Sequence, residues 1–474
     1  MATASAPHQQ TGNPQPLSVI PNRKKPARKG LVRLTLWPLV AATFFMVSGG
    51  TYGTEDIVHG AGYGRAILIL LLTPLLWSLP TAFMIGELSS ALPYEGGYYA
   101  WVRRAMGNFW GFQEAWLSLV ASIFDMAIYP TLFVAYLTRM FPWFQEANRG
   151  WWVALAVVIA CALLNIAGVK VVSLTSLWLF FALSAPFVAI VILAPFKFGA
   201  LANAVTKPTT STVDILGGLL ICMWNYMGWD NASTIATEVE RPQRTYPRAM
   251  LVAVAIVALS YVLPFAAMWM TGLKATAWET GSWADIAGLL GGPLLRVGVV
   301  LGGIISAFGM FNALVMSYSR LPLAMAQDGM LPGIFAKLQK KSRAPWVAIL
   351  ALAACWAMCL GLGFARLVTI DILLYGFSLM LEFIALAVLR FREPDLPRPF
   401  RVPGGLFGAI AIGIPPMLLL AFSIIRSEHE QIWNMSSFEF GMILIGAGVV
   451  AYAVNHLLKP QGWTATQRKA EPAA

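Results

Sequence analysis

Nine acidic residues stand within or beside long apolar stretches of the chain: Glu55, Asp56, Glu87, Glu114, Asp125, Asp230, Glu238, Asp371 and Glu382. Few basic residues lie at comparable depth. An ionisable group inside an apolar span costs at least about 2.5 kcal/mol, so each is a functional candidate by default. A chamber walled by several carboxylates without a counter-cation is costly when empty and dry. It becomes favourable with a bound cation, a bound proton or both. Aromatic residues add a second ingredient. Tyr52, Tyr129, Trp224, Tyr226, Trp229, Tyr375 and Phe377 fall on the same segments, and desolvated aromatic faces attract ammonium groups by about 0.5–2 kcal/mol each.

The individual positions differ in promise. Asp125 lies midway along its apolar segment, four residues before Tyr129, so the two share a helical face. Asp230 sits in a Gly-containing polar break; capping a half-helix is its plainer role. Glu55 and Asp56 follow the Gly-rich string at residues 48–53, so one can face a cavity while the other faces water. Glu87, Glu114 and Glu238 lie near segment ends, where gate or surface ion pairs fit better than substrate contact. Asp371 is expected near the outer surface beside Arg366. Glu382 lies deep in its segment and, with Glu87 and Glu238, is a candidate proton carrier. Trp229 and Tyr129 are the favoured aromatic contacts, each neighbouring a candidate acid. His59 reads as an interfacial residue. No nucleotide-binding loop, catalytic triad or metal box appears. The four cysteines all lie in apolar stretches, without the ligand spacing of a metal site.

The elements that must hold these groups are membrane spans. The chain has 474 residues, 58% hydrophobic and 12% charged, and a mean hydropathy of +0.68. A soluble protein carries about twice that charged fraction. Residues 1–32 are polar and then basic, and read as a disordered cytosolic tail, as do 459–474. Between them, segments long enough to cross about 30 Å of hydrocarbon recur. The expected spans are 34–62, 65–91, 108–140, 150–169, 173–195, 213–238, 248–272, 293–326, 345–364, 367–391, 405–426 and 437–458. With the amino terminus inside, 24 of the 33 Lys and Arg residues fall on the cytosolic side, which places both termini there. The net charge of +11 therefore bears on orientation, and no nucleic-acid partner is implied.

Two of these spans are interrupted. The first contains Ser48 to Gly53 (SGGTYG), including Gly49, Gly50 and Tyr52, and the sixth contains Tyr226 to Asn231 (YMGWDN). Broken backbone at membrane depth is tolerated only where protein buries it or a wet cavity meets it. The breaks open two halves of similar length, residues 33–196 and 213–392, and fall five spans apart. An inverted five-plus-five repeat predicts this pattern, with the site between the breaks and two extra helices in 405–458.

Several strings resemble the amino acid–polyamine–organocation transporters. They are Glu238 to Ala249 (EVERPQRTYPRA), Ala326 to Ala336 (AQDGMLPGIFA) and the amphipathic run Glu95 to Val102 (EGGYYAWV). Within that family the polyamine uptake group is most similar, through Ser48 to Asp56 (SGGTYGTED), Phe124 to Pro130 (FDMAIYP), Trp224 to Asp230 (WNYMGWD) and Leu374 to Phe383 (LYGFSLMLEF). The resemblance implies an all-α integral membrane protein with a LeuT-like fold of ten core helices plus two. It further implies proton-driven import of putrescine, spermidine and related amines, and marks Glu55 or Asp56, Asp125, Trp229, Asp230 and Tyr375 as site residues.

The expected substrate site is Gly49, Gly50, Tyr52, Glu55, Asp56, Asp125, Tyr129, Trp224, Trp229, Asp230 and Tyr375. No cofactor is expected beyond a coupling proton. Some proton-driven members of the family that the chain resembles place a coupling lysine in the fifth helix. Residues 173–195 hold no lysine or arginine, so if protons drive transport a carboxylate is expected to hold them, and the Ser306 hydroxyl keeps sodium open. An amino acid permease or exchanger is the alternative within the class. A receptor-like sensor would be expected to carry a long soluble extension, against expected tails of about 32 and 16 residues here. A membrane enzyme would need clustered His or paired acids at a metal, which this sequence does not show.

Overall fold

The computed structural model describes residues 34–93, 96–168, 172–204, 214–427, 430–432 and 434–458. Both expected tails lie outside these residues, as does the Glu238 side chain. Among the described residues the architecture is almost wholly helical, and nine helices are long and apolar enough to cross a bilayer.

The chain begins with α1 (Leu36–Val47) and α2 (Glu55–Ala61), separated by the Gly-rich string. Gly49, Gly50 and Gly53 all adopt positive φ there, which ends α1 where the sequence loses its apolar side chains. Next come α3 (Tyr63–Ala91), the short amphipathic α4 (Gly97–Met106), α5 (Asn108–Met140), α6 (Arg149–Ala167) and α7 (Val172–Leu193). Helix α3 widens to a π-turn at Pro74–Ser78, where Pro74 supplies no amide hydrogen.

The second interrupted segment is α8 (Ile215–Asn225), a turn at Gly228, and the tight 3-10 run Trp229–Glu238. It is followed by α9 (Pro242–Met270), α10 (Trp283–Gln327), α11 (Trp346–Met358), α12 (Phe364–Arg392), α13 (Gly405–Ile425) and α14 (Ser437–Leu458). Helix α10 kinks at Gly292, whose φ is +77°. It therefore starts ten residues before the expected position 293, because the segment before the kink is helical too.

Helix α5 is the central post: it packs along both α10 and α12, and 72% of its most apolar window is buried. The outer helices do the reverse and expose large apolar side chains such as Leu68 and Leu75 on α3, Leu163 on α6 and Phe181 on α7. That is the pattern of a bundle whose solvent is lipid. Helix α1 rests against α9 and α7, and α8 against α2 and α12, so both interrupted segments lie inside the bundle.

Candidate functional site

The two breaks touch. Gly228 has φ +84°, and a Cβ there would stand 2.9 Å from the carbonyl oxygen of Met46, in the last turn of α1. The Asn225 amide reinforces the contact, donating to the Gly53 carbonyl at 3.3 Å. Gly228→Ala is expected to cost at least about 1–2 kcal/mol from the left-handed backbone alone. A lowered midpoint of thermal unfolding in detergent would report it; an unchanged midpoint would mean that the breaks can separate freely.

Unwound backbone leaves amides and carbonyls without helical partners. Here side chains from intact helices take most of that role. Tyr261 donates to the Asn225 carbonyl at 2.8 Å and Tyr246 to that of Ala232 at 2.6 Å. Trp283 donates to the Thr51 carbonyl at 3.1 Å, and Ser306 to that of Gly49. On the donor side, the Gly50 amide reaches Ser48 Oγ at 3.0 Å and the Gly228 amide reaches Tyr375 Oη at 3.2 Å.

Between the first break, α5, α8 and α10 lies a small cavity, with room for about one water molecule, lined by Ser48, Tyr52, Tyr129, Trp224, Ser306 and Met310 among others. Asp125 stands directly behind its aromatic wall. Its Oδ1 accepts from Tyr129 at 2.9 Å and from Trp224 Nε1 at 3.2 Å, and its Oδ2 from Tyr318 at 3.2 Å. Asp230 accepts from the Tyr375 hydroxyl at 2.6 Å and from backbone amides at the start of its own 3-10 run. The capping role expected of Asp230 is thus met by these amides. Trp229 is fully buried and donates to the Tyr226 carbonyl at 2.7 Å.

Asp371 is a correction to the sequence reading. It is not near an outer surface: it is fully buried, neither of its carboxyl oxygens accepts a hydrogen bond, and it lies within coulombic range of Asp125 and Asp230. Position 371 lies one helical turn before Tyr375, so the face of α12 that carries Tyr375 carries Asp371 as well. That spacing was legible; the placement beside Arg366 obscured it. Tyr318, reaching Asp125 from α10, left no comparable signal. Three carboxylates from α5, the 3-10 run and α12 thus converge, and among the described residues none of them forms an ion pair.

The other expected acids lie elsewhere. Glu55 is fully buried beyond the first break, held by Tyr136 and by the Gly281 amide at 3.0 Å. Asp56 is half-buried and accepts from Thr280 at 2.5 Å. Both tie α2 to the loop before α10 and stand apart from the central three. Glu87, expected to form an ion pair near a segment end and also named as a candidate proton carrier, is held by two guanidinium groups. Arg390 Nε donates to it at 2.8 Å, Arg398 Nε lies 3.2 Å away and the Val402 amide donates at 2.7 Å. That is a structural tie, and it buries a basic residue, Arg390, at the end of α12. Glu114 is corrected too: it forms no gate or surface pair but is fully buried beside Ser378. His59 Nδ1 donates to the Trp278 carbonyl, 2.7 Å away.

A multi-helix membrane protein with paired helix breaks around a small acidic chamber is built to pass a small solute rather than to transform one. The comparisons agree. The family model described as "Amino acid permease" matches residues 40–447, and the chain belongs to that family of membrane transporters. It is similar to the polyamine transporter RMV1 of Arabidopsis thaliana, 33% identical over 91% of this chain and 87% of that protein. It is similar to the polyamine transporter PUT1 of Oryza sativa subsp. japonica, 34% identical over 87% and 77%. A more distant likeness is to the serine/threonine exchanger SteT of Bacillus subtilis (strain 168), 24% identical over 78% and 84%. The protein is a transporter and not an enzyme.

Proposed function

We propose that this chain is a secondary active importer of small organic cations, polyamines such as putrescine or spermidine foremost, working by proton symport with alternating access. The observation that carries the reading is a balance of hydrogen-bonding groups. Next to the breaks, three carboxylates stand without a cation, while the Gly50 and Gly228 amides are already engaged. An amine needs acceptors for its ammonium groups, and the three carboxylates supply them. An extended diamine places one ammonium against Asp230 and the other against Asp125 and Asp371, with Tyr129, Trp224 and Trp229 supplying aromatic faces. The names of RMV1 and PUT1 support the same substrate class.

The helix order supports a LeuT-like arrangement of twelve spans. In it α1–α2 and α8 with its 3-10 run are the discontinuous first and sixth spans, α11 is a short ninth, and α13 and α14 follow the repeats. The clustering of Arg and Lys at alternate loops favours a cell-membrane protein with both termini in the cytosol.

Radiotracer uptake into proteoliposomes tests the reading. An inward proton gradient, with no sodium present, is expected to drive putrescine accumulation that unlabelled spermidine suppresses and serine or leucine does not. Uptake that needs sodium overturns the coupling, and uptake blocked by serine or leucine but not by putrescine overturns the substrate class.

A further inference from the structure

The chamber does not account for a second acidic group. Glu114 precedes Asp125 by eleven residues on α5, and Glu382 follows Asp371 by eleven on α12, about 16 Å along each helix. Asp125 lies in coulombic range of Asp371, and Glu114 of Glu382, so the two helices run antiparallel and bring their acids together at two levels. The level with Asp125 and Asp371 is the proposed amine site. The other is dry. Glu114 and Glu382 are both fully buried; neither oxygen of Glu382 and only one of Glu114 accepts a hydrogen bond. That single bond comes from Ser378, at 2.5 Å, one turn before Glu382.

The groups facing this pair offer no positive charge. Tyr98 of α4 and Asp230 of the 3-10 run lie in coulombic range, with Tyr375 on α12 itself. Arg390 follows Glu382 by eight residues, about 12 Å along the helix, and is committed to Glu87. Two ionised carboxylates cannot share a dry site with a third nearby. A proton resolves this, and among cations it alone needs neither more room nor more ligands.

We propose that Glu114 and Glu382 form a proton-binding pair, separate from the amine site, that holds the coupling proton of the transport cycle. The inference rests on the proton-coupled reading above. In the closed chamber the pair keeps its proton because ionisation there is unsolvated; when α4 and α12 part and water enters, the pair ionises and releases it.

Two measurements test this on the full-length purified protein. In infrared spectra at neutral pH, the wild type is expected to show the carbonyl stretch of a protonated carboxyl group, shifted in D2O. That band should be lost in the double variant E114Q/E382Q. In proteoliposomes, E382Q and E114Q are expected to bind putrescine and support its counterflow as the wild type does. Accumulation under a proton gradient should fall at least tenfold, with partial recovery in E382D. A wild type without the protonated band, or single variants that still accumulate amine normally, would overturn the proposal. Loss of putrescine binding in both single variants would also overturn it, by assigning the pair to the amine site. If the wild type carries the band but moves no amine, the proton pair stands and the polyamine reading falls.

Discussion

Asp230→Asn is expected to lower putrescine affinity more than a hundredfold while leaving the protein inserted and folded. Truncating one partner of a desolvated charge pair costs about 2–5 kcal/mol, and a hundredfold corresponds to about 2.7 kcal/mol. Asparagine keeps an acceptor for the Tyr375 hydroxyl, 2.6 Å away in the native protein, so the local hydrogen bonding survives and the lost charge is what the assay reads. Asp56→Asn is the internal comparison. That carboxylate sits half-exposed on Thr280, and its loss should change binding by no more than a few fold. Equilibrium binding of labelled putrescine to purified protein measures both. Equal effects of the two substitutions would show that the central carboxylates do not hold the amine.

Arg390→Ala should be among the most damaging substitutions for stability. Glu87 and Arg390 are almost completely buried side by side, 0% and 1% exposed at the side chain. Removing one partner of such a pair typically costs about 3–5 kcal/mol, because the other charge is stranded. Arg398, 3.2 Å from Glu87, softens the loss toward the lower figure. The check is thermal unfolding in detergent beside the double variant Glu87→Leu/Arg390→Met. Replacing both charges by apolar groups of similar size removes the penalty, so the double variant should be more stable than Arg390→Ala alone. The reverse order would mean that the pair is hydrated.

Much of this protein was legible from residue types because lipid imposes a simple rule. The long helices follow from uninterrupted apolar runs, and both breaks follow from glycines flanked by polar residues. Asp125, Tyr129, Trp224, Asp230 and Tyr375 stand out in the sequence because an acid or a phenol in such a run needs a partner; the structure joins Asp125 to Tyr129 and Trp224, and Asp230 to Tyr375. What stayed hidden depends on rotation about the helix axis and on long-range pairing. Asp371 and Glu114 looked peripheral because depth was judged from distance to the nearest loop, whereas both point inward against a neighbouring helix. An ion pair was expected for Glu87, but its partner was not legible, because Arg390, 303 positions away in sequence, gave no local hint that it would fold back onto it.

The dressing of the two breaks by neighbouring hydroxyl and indole groups bears on how the molecule can move. The second interrupted segment is fastened to α9 by Tyr261 and Tyr246, to α12 by Tyr375, and to α3 through Tyr226, whose hydroxyl donates to the Leu70 carbonyl at 2.9 Å. The first is fastened to α10 by Trp283 and Ser306. Sliding either one out alone would strand peptide groups in a medium that offers no replacement, at several kcal/mol apiece. Any displacement is therefore expected to carry coupled helices together as blocks, with the seams between blocks, rather than the interrupted helices themselves, absorbing the strain.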